Sequence, residues 1–190
     1  MNKFELTNPQ KSIWVTEEFY KGTSIENIAG TTFIKDKVDF EKLKKAINIF
    51  VKNNDGFRLK FVNENNKIKQ YIADYEELLL DVKTLESEKD VKKIEKDFAN
   101  TPFKLFDSFL FRFQIYSYKD GRGGFVVVGH HLIVDAWACG LVISEIMDIY
   151  DALIQNIEPP TIDYSYLDYI KSEQDYLVSQ KFKLPLMKME

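Results

Sequence analysis

From Gly124 to Trp137 the chain reads Gly-Phe-Val-Val-Val-Gly-His-His-Leu-Ile-Val-Asp-Ala-Trp, a stretch that few folds can accommodate. A continuous apolar run bounded by glycines predicts a strand buried on both faces. The run ends in His130 and His131, the only two histidines of the protein, and Asp135 stands four residues after the second. Beyond Asp135 the period changes. Val142, Ile146, Ile149 and Leu153 fall at helical spacing, with Glu145, Asp148 and Gln155 on the opposite side. The order is therefore strand, short turn, helix, with two histidines and a carboxylate at the joint. In sheets covered by helices, strand ends are where substrates and catalytic groups collect.

The chemistry of this joint has several readings. Consecutive strand residues point to opposite faces, so His130 and His131 do not serve one small site together. One points into the fold and the other toward a cleft. Asp135 either orients a histidine, as the carboxylate of a catalytic triad does, or is structural and, if buried, needs a cation. A metal site built on His130, His131 and Asp135 is disfavoured by the opposed strand directions, and the chain has no further histidine and a single cysteine to complete a zinc shell. That cysteine, Cys139, is conceivable as a nucleophile beside a histidine. It falls among Trp137, Ala138 and Leu141, one turn into the helix, where a small buried hydrophobe is the commoner role.

The rest of the chain alternates strand and helix signals. Phe4-Glu5-Leu6 predicts a short strand, and Thr7-x-x-Gln10 a capping box opening a helix that turns Ile13 and Trp14 inward and stops at Gly22. Ile28 to Lys35 predicts a strand. Asp39 then caps a helix with apolar positions Phe40, Leu43, Ala46, Ile47, Phe50 and Val51. Phe57, Leu59 and Phe61 alternate with Arg58, Lys60 and Val62, predicting a strand that turns at Asn63–Asn66 into a partner through Ile72. Ser87-x-x-Asp90 caps the next helix. Phe109 to Tyr116 alternates as a strand, and Asp120-Gly121 turns it into the central one. Pro159-Pro160 marks a break, and a more polar helix runs from near Ser165 to about Gln180.

Length and charge exclude some classes. A chain of 190 residues fits one domain with a sizeable core, or one lobe of something larger. Acidic and basic residues interleave to a net charge of −4, without the basic stripe of a nucleic-acid binder. No apolar run approaches the roughly 18 residues that span a membrane. The first residues carry no secretory signal, and the lone cysteine suits a reducing cytoplasm.

Four of these stretches carry a family resemblance. His130-His131-Leu132-Ile133-Val134-Asp135-Ala136 resembles the HHxxxDG signature of the condensation domains of non-ribosomal peptide synthetases, with Ala136 in the place of the usual glycine. Leu6 to Trp14 is similar to the opening SxAQxRLW pattern, with Ser12 in the arginine place. Asn53 to Phe61 resembles RHExLRTxF and keeps its second arginine as Arg58. Tyr166-Leu167-Asp168-Tyr169 resembles the later YxDY element. The resemblance covers nearly the whole chain, and the family's C-terminal half has no counterpart here.

The resemblance implies an α+β fold, a mixed β-sheet with flanking helices that forms one lobe of the two-lobed chloramphenicol acetyltransferase-like fold. Residues 1–158 would be the N-terminal lobe, and 159–190 a polar linking helix and truncated tail. The implied activity is acyl transfer in peptide antibiotic biosynthesis. A carrier-bound acyl or peptidyl donor is joined by an amide bond to a carrier-bound aminoacyl acceptor, in a channel between the lobes. His131 is then the catalytic residue, as general base or as the group that positions the amine. His130 is a hydrogen-bonded core group, an Asp135–Arg58 pair holds the turn, and Ala136 and Trp137 shape the site. Heterocyclising relatives carry aspartates instead, so the His-His pair counts against that branch.

This lobe is expected to bind no cofactor or metal of its own, its substrates arriving on the phosphopantetheine arms of carrier proteins. Its other expected partner is the C-terminal condensation lobe, without which the isolated chain is expected to be inactive and to dimerise through its exposed channel face. Two other classes remain open: a non-catalytic lobe that binds carrier proteins, and a coenzyme A-dependent acyltransferase of the same fold.

Overall fold

The computed structural model describes residues 2–161 and 165–179. Its strands are β1 (Phe4–Glu5), β2 (Asn27–Ile34), β3 (Leu59–Glu64), β4 (Lys67–Ile72), β5 (Val82–Leu85), β6 (Phe111–Tyr118) and β7 (Gly123–His130). Its helices are α1 (Asn8–Phe19), α2 (Phe40–Asn53), α3 (Glu88–Ala99), α4 (Ala136–Gln155) and α5 (Tyr166–Val178), with a 3₁₀ turn at Asp55–Arg58. The larger sheet has the order β2-β7-β6-β5 and the smaller β1-β4-β3. All pairings are antiparallel except β5 with β6, so the larger sheet is mixed.

β7 is the strand predicted from the apolar run, and all of its residues are buried. Its two faces meet different layers. Phe125 and Val127 pack with α2 and α4 through Ile47, Phe50, Ile146 and Ile149. Val126 and Val128 pack with Val91 and Ile94 of α3. Full burial of each such side chain contributes about 1.5–3 kcal/mol, so this strand, covered on both faces, is a principal anchor of the fold. Its end is sharply shaped. A Cβ on Gly129 would lie 2.4 Å from Val134 Cγ1, so glycine is what lets the turn after the strand fold back onto it. Gly30 on neighbouring β2 plays the same part for α4, because a Cβ there would meet Cys139 Sγ and Ile143 Cδ1, both at 2.9 Å.

Helix starts follow their caps. Asp39 accepts the N–H of Lys42 at 3.0 Å, the Asp90 carboxylate accepts that of Ser87 at 2.9 Å, and Gln10 Oε1 accepts that of Thr7, also at 2.9 Å. Asn65 and Asn66 both take positive φ, as the tight β3–β4 hairpin requires. α5 lies against the rest of the fold. Asp55 accepts the Tyr166 N–H at 2.8 Å and the Ser165 hydroxyl, Glu173 accepts the Asn8 N–H at 3.0 Å, and Ile170 is buried. The expected tail from Gln180 onward lies outside the described residues.

One expectation is corrected, and two features go beyond the sequence pattern. Phe57 is not in a strand. It sits in the 3₁₀ turn and packs edge-on against Phe50 at 4.9 Å, and β3 begins only at Leu59. β5 is an element the sequence pattern does not predict, since Val-Lys-Thr-Leu is short, and Lys83 and Thr84 are exposed at the sheet edge. In α1, Ile13 and Trp14 face inward as expected and pack, half-buried, on the cluster of Leu59 and Phe61, but the fully buried side chains are Gln10 and Glu17.

Candidate functional site

β7 delivers His130 as its last residue, and a tight turn follows. The N–H groups of Ile133 and Val134 both donate to the His130 carbonyl, at 2.9 and 3.2 Å, before Asp135 caps α4. The sheet extends its hold to this point, because His130 N–H donates to Leu110 O at 2.9 Å and His131 N–H to Glu26 O at 2.8 Å.

The two histidines differ in every respect that matters for chemistry. His130 is 2% exposed, and both of its ring nitrogens are engaged. Nδ1 accepts the Leu132 N–H at 3.1 Å, which requires a lone pair there and places the proton on Nε2. Nε2–H then donates to Glu17 Oε1 at 3.0 Å, and Phe103 closes the pocket edge-on. Burial pushes the His130 pKa down to about 4, with the charge of Glu26 opposing and that of His131 adding. A neutral ring is also what the Nδ1 hydrogen bond demands. Burial raises the Glu17 carboxyl above its ordinary value. His131, one residue on, is half-buried, and its imidazole makes no hydrogen bond or ion pair to any described residue.

Asp135 is exposed and acts as the N-cap of α4, its Oδ1 accepting the Ala138 N–H at 2.7 Å. Ala136 opens the helix with ordinary helical backbone and no positive φ. Trp137 is 79% exposed. The expected Asp135–Arg58 pair is not formed. Arg58 donates Nε–H to Ala73 O at 3.1 Å and its Nη1 hydrogens to Val51 O at 2.9 Å and to Lys52 O. Val51 and Lys52 belong to the last turn of α2, where unpaired carbonyls and the negative end of the helix dipole attract a guanidinium. Asp135, being in solvent, has no buried charge for a cation to offset.

Cys139 is buried against β2, and burial pushes its thiol up, away from nucleophile character. A cavity of about 250 Å³ lies under the turn, lined by Phe57, Ile133, Val134, Leu141, Glu145 and Tyr166 among others. Burial pushes the Tyr166 phenol up to about 12 and raises the Glu145 carboxyl, which the Asn54 amide donates to at 2.9 Å. His131 is not among the lining residues. No group of three or more His, Cys, Asp and Glu among the described residues is placed to hold a metal ion. No helix of the described residues is long and apolar enough to cross a membrane.

Sequence reasoning missed Gln10 and Glu17 as parts of the site, although Gln10 was visible as a capping residue. The available signal was their spacing: two polar residues seven positions apart share a helix face.

Residues 1–184 match the condensation-domain family model. Surfactin synthase subunit 1 of Bacillus subtilis (strain 168) is 34% identical over 190 residues, covering 95% of this chain and 5% of that protein. Tyrocidine synthase 3 of Brevibacillus parabrevis is 24% identical over 179 residues, covering 94% of this chain and 3% of that protein. Among solved structures, the starter condensation domain of rhizomide synthetase superposes with a TM-score of 0.83 at 19% identity, over 94% of this chain and 45% of that one. The first condensation domain of the CDA synthetase gives 0.83 at 16%, over 96% and 48%. The two structural likenesses are likenesses of fold. The chain thus spans about half the length of those solved domains and a small part of the synthetases.

Proposed function

The chain belongs to the condensation-domain family, and on that premise we propose that it forms the histidine-bearing lobe of a domain that makes amide bonds in non-ribosomal peptide synthesis. The donor is an acyl or peptidyl thioester on a carrier protein's phosphopantetheine arm, and the acceptor is the α-amine of an aminoacyl thioester on another. The amine nitrogen attacks the thioester carbonyl and forms the C–N bond, His131 receives the proton lost by the amine, and the C–S bond breaks with its electron pair on the phosphopantetheine sulfur, which takes that proton and leaves as the thiol. The observation that carries this reading is the contrast between the histidines. His130 has both ring nitrogens engaged, whereas the ring of His131 is half-exposed and bonds to none of the described residues. Histidine suits the role because its ordinary pKa lies near working pH.

Residues 1–158 then make one wall of the channel, the polar helix beyond residue 159 leads to the second lobe, and the second lobe makes the other wall. Exposed Trp137 and Leu141, one turn apart beside the motif, support a face that another surface covers. Two tethered substrates are held in line only between both walls, so the 190-residue chain alone is expected to fold without condensing. In a complete condensation domain with this chain as its first lobe, His131→Ala lowers condensation roughly 10² to 10⁴-fold and leaves folding unchanged. Wild-type turnover from that variant with two loaded carrier proteins would remove His131 from the mechanism.

A further inference from the structure

A helix that packs on a protein core ordinarily buries apolar side chains, yet those α1 buries fully are Gln10 and Glu17. Buried polar groups are costly unless they are hydrogen-bonded, and here Gln10 engages both its amide oxygen and its amide nitrogen while Glu17 engages one carboxylate oxygen. Gln10 Oε1 accepts the Thr7 N–H at 2.9 Å and the Thr7 hydroxyl at 3.1 Å. Gln10 Nε2 donates to Gln70 Oε1 at 2.8 Å and to Leu132 O at 3.1 Å, and Gln70 Nε2 donates onward to Glu5 O at 3.0 Å. Glu17 takes the Nε2–H of His130, whose Nδ1 takes the Leu132 N–H.

Both chains of hydrogen bonds converge on one residue. Gln10 holds the carbonyl of Leu132, and Glu17, through His130, holds its N–H. The peptide plane containing that N–H also contains the carbonyl of His131. The Leu132 side chain is itself buried at 2% exposure, so the residue after His131 is held at its N–H, at its carbonyl and by packing. We propose that α1 is the positioning element of the site, with Gln10 and Glu17 as positioning residues that clamp Leu132 and thereby set the direction in which His131 projects. The proposal rests on the reading of His131 as the catalytic group.

The test exploits the presence of only two histidines, so that imidazole nitrogen NMR resolves each ring in the full chain. The wild type is expected to show His130 as a single Nε2–H tautomer at neutral pH and a Leu132 amide strongly protected from exchange. In Glu17→Leu the single tautomer is lost and Leu132 exchange accelerates roughly tenfold or more. Glu17→Gln, whose amide oxygen still accepts from Nε2–H, restores both. In the complete condensation domain Glu17→Leu lowers kcat roughly ten- to hundredfold with KM little changed, and Glu17→Gln recovers most of that loss.

An Nδ1–H tautomer or an unprotected Leu132 in the wild type would overturn the clamp, even if Glu17→Leu failed to fold. So would a Glu17→Gln variant as impaired as Glu17→Leu, since a purely electrostatic role would then remain. The two readings fail separately. A fully active His131→Ala removes the catalytic histidine while the spectra still report the clamp. A dead His131→Ala with free Leu132 removes only the clamp.

Discussion

α1 and α2 are both short capped helices, and they bury opposite chemistry. α2 inserts Leu43, Ala46, Ile47, Phe50 and Val51 against the larger sheet and α4. α1 buries Gln10 and Glu17, with its apolar residues Ile13 and Trp14 only half-covered. The difference follows from what each helix holds. A sheet is held by filling volume, which any well-shaped hydrophobe can do. A turn with unpaired backbone N–H and C=O groups is held only by donors and acceptors, and only in one geometry. The α2 face therefore stabilises the fold, and the α1 face specifies one conformation of the turn.

Breaking the α2 side should have the largest effect on stability. Phe50→Ala removes a fully buried ring that also meets Phe57 and is expected to cost about 3–5 kcal/mol in urea unfolding. A loss below about 1 kcal/mol would mean that this face is not what anchors the sheet. Arg58→Ala comes next, at about 2 kcal/mol, because the end of α2 loses its charged donor to Val51, Lys52 and Ala73. Asp135→Ala should cost about 1 kcal/mol as an exposed N-cap. The Arg58→Ala, Asp135→Ala double variant should then be additive to within about 0.5 kcal/mol. A coupling well beyond that would put the two side chains back in contact.

The smallest net effect is that of pH on the α1 side, because two groups titrate in opposite senses. His130 has a folded pKa of about 4 against an ordinary 6.5, so the stability of its neutral form is complete above 6.5 and is lost as pH falls from there toward about 4. Glu17 has a raised pKa, so the cost of its buried charge is relieved as pH falls through its folded pKa toward its ordinary value. Glu26 and His131 act on His130 from nearby with opposite signs. Thermal melts from about pH 7 to about 4.5 should therefore show a shallow decline in the wild type and a steeper one in Glu17→Gln, where the relieving group is gone. A shallower decline in Glu17→Gln would reverse the signs given to the pair.

Much of the architecture is legible in the sequence because it depends on period and punctuation. The β7 run, the switch to helical spacing after Asp135, the Asn65-Asn66 hairpin and the caps at Thr7, Asp39 and Ser87 are local signals. What escapes is whatever depends on long-range partners. Motif order sets Arg58 beside Asp135, but the end of the helix just before Arg58 lies closer and offers carbonyls. Phe57 leaves the strand pattern because Phe50 draws it into the helical layer. Gln10 and Glu17 escape because periodicity arguments count apolar positions, and this helix buries polar ones. The contrast between His130 and His131 is the one expected of consecutive strand residues, although His131 lies just past the end of β7 and is held there by its N–H on Glu26 O. The partners of His130 do not follow from that alternation, since Glu17 lies more than a hundred residues away.

The close approach of Val134 to Gly129 bears on how such a motif can drift or be redesigned. A substitution library centred on the histidines would treat the position before them as a bystander, yet a single added methyl there meets a side chain at 2.4 Å. Ala136, by contrast, sits exposed at the start of a helix and offers room for small replacements. Tolerance around this motif is thus graded by steric clearance before chemistry enters, and the least tolerant neighbour of the histidines is the residue with no side chain at all.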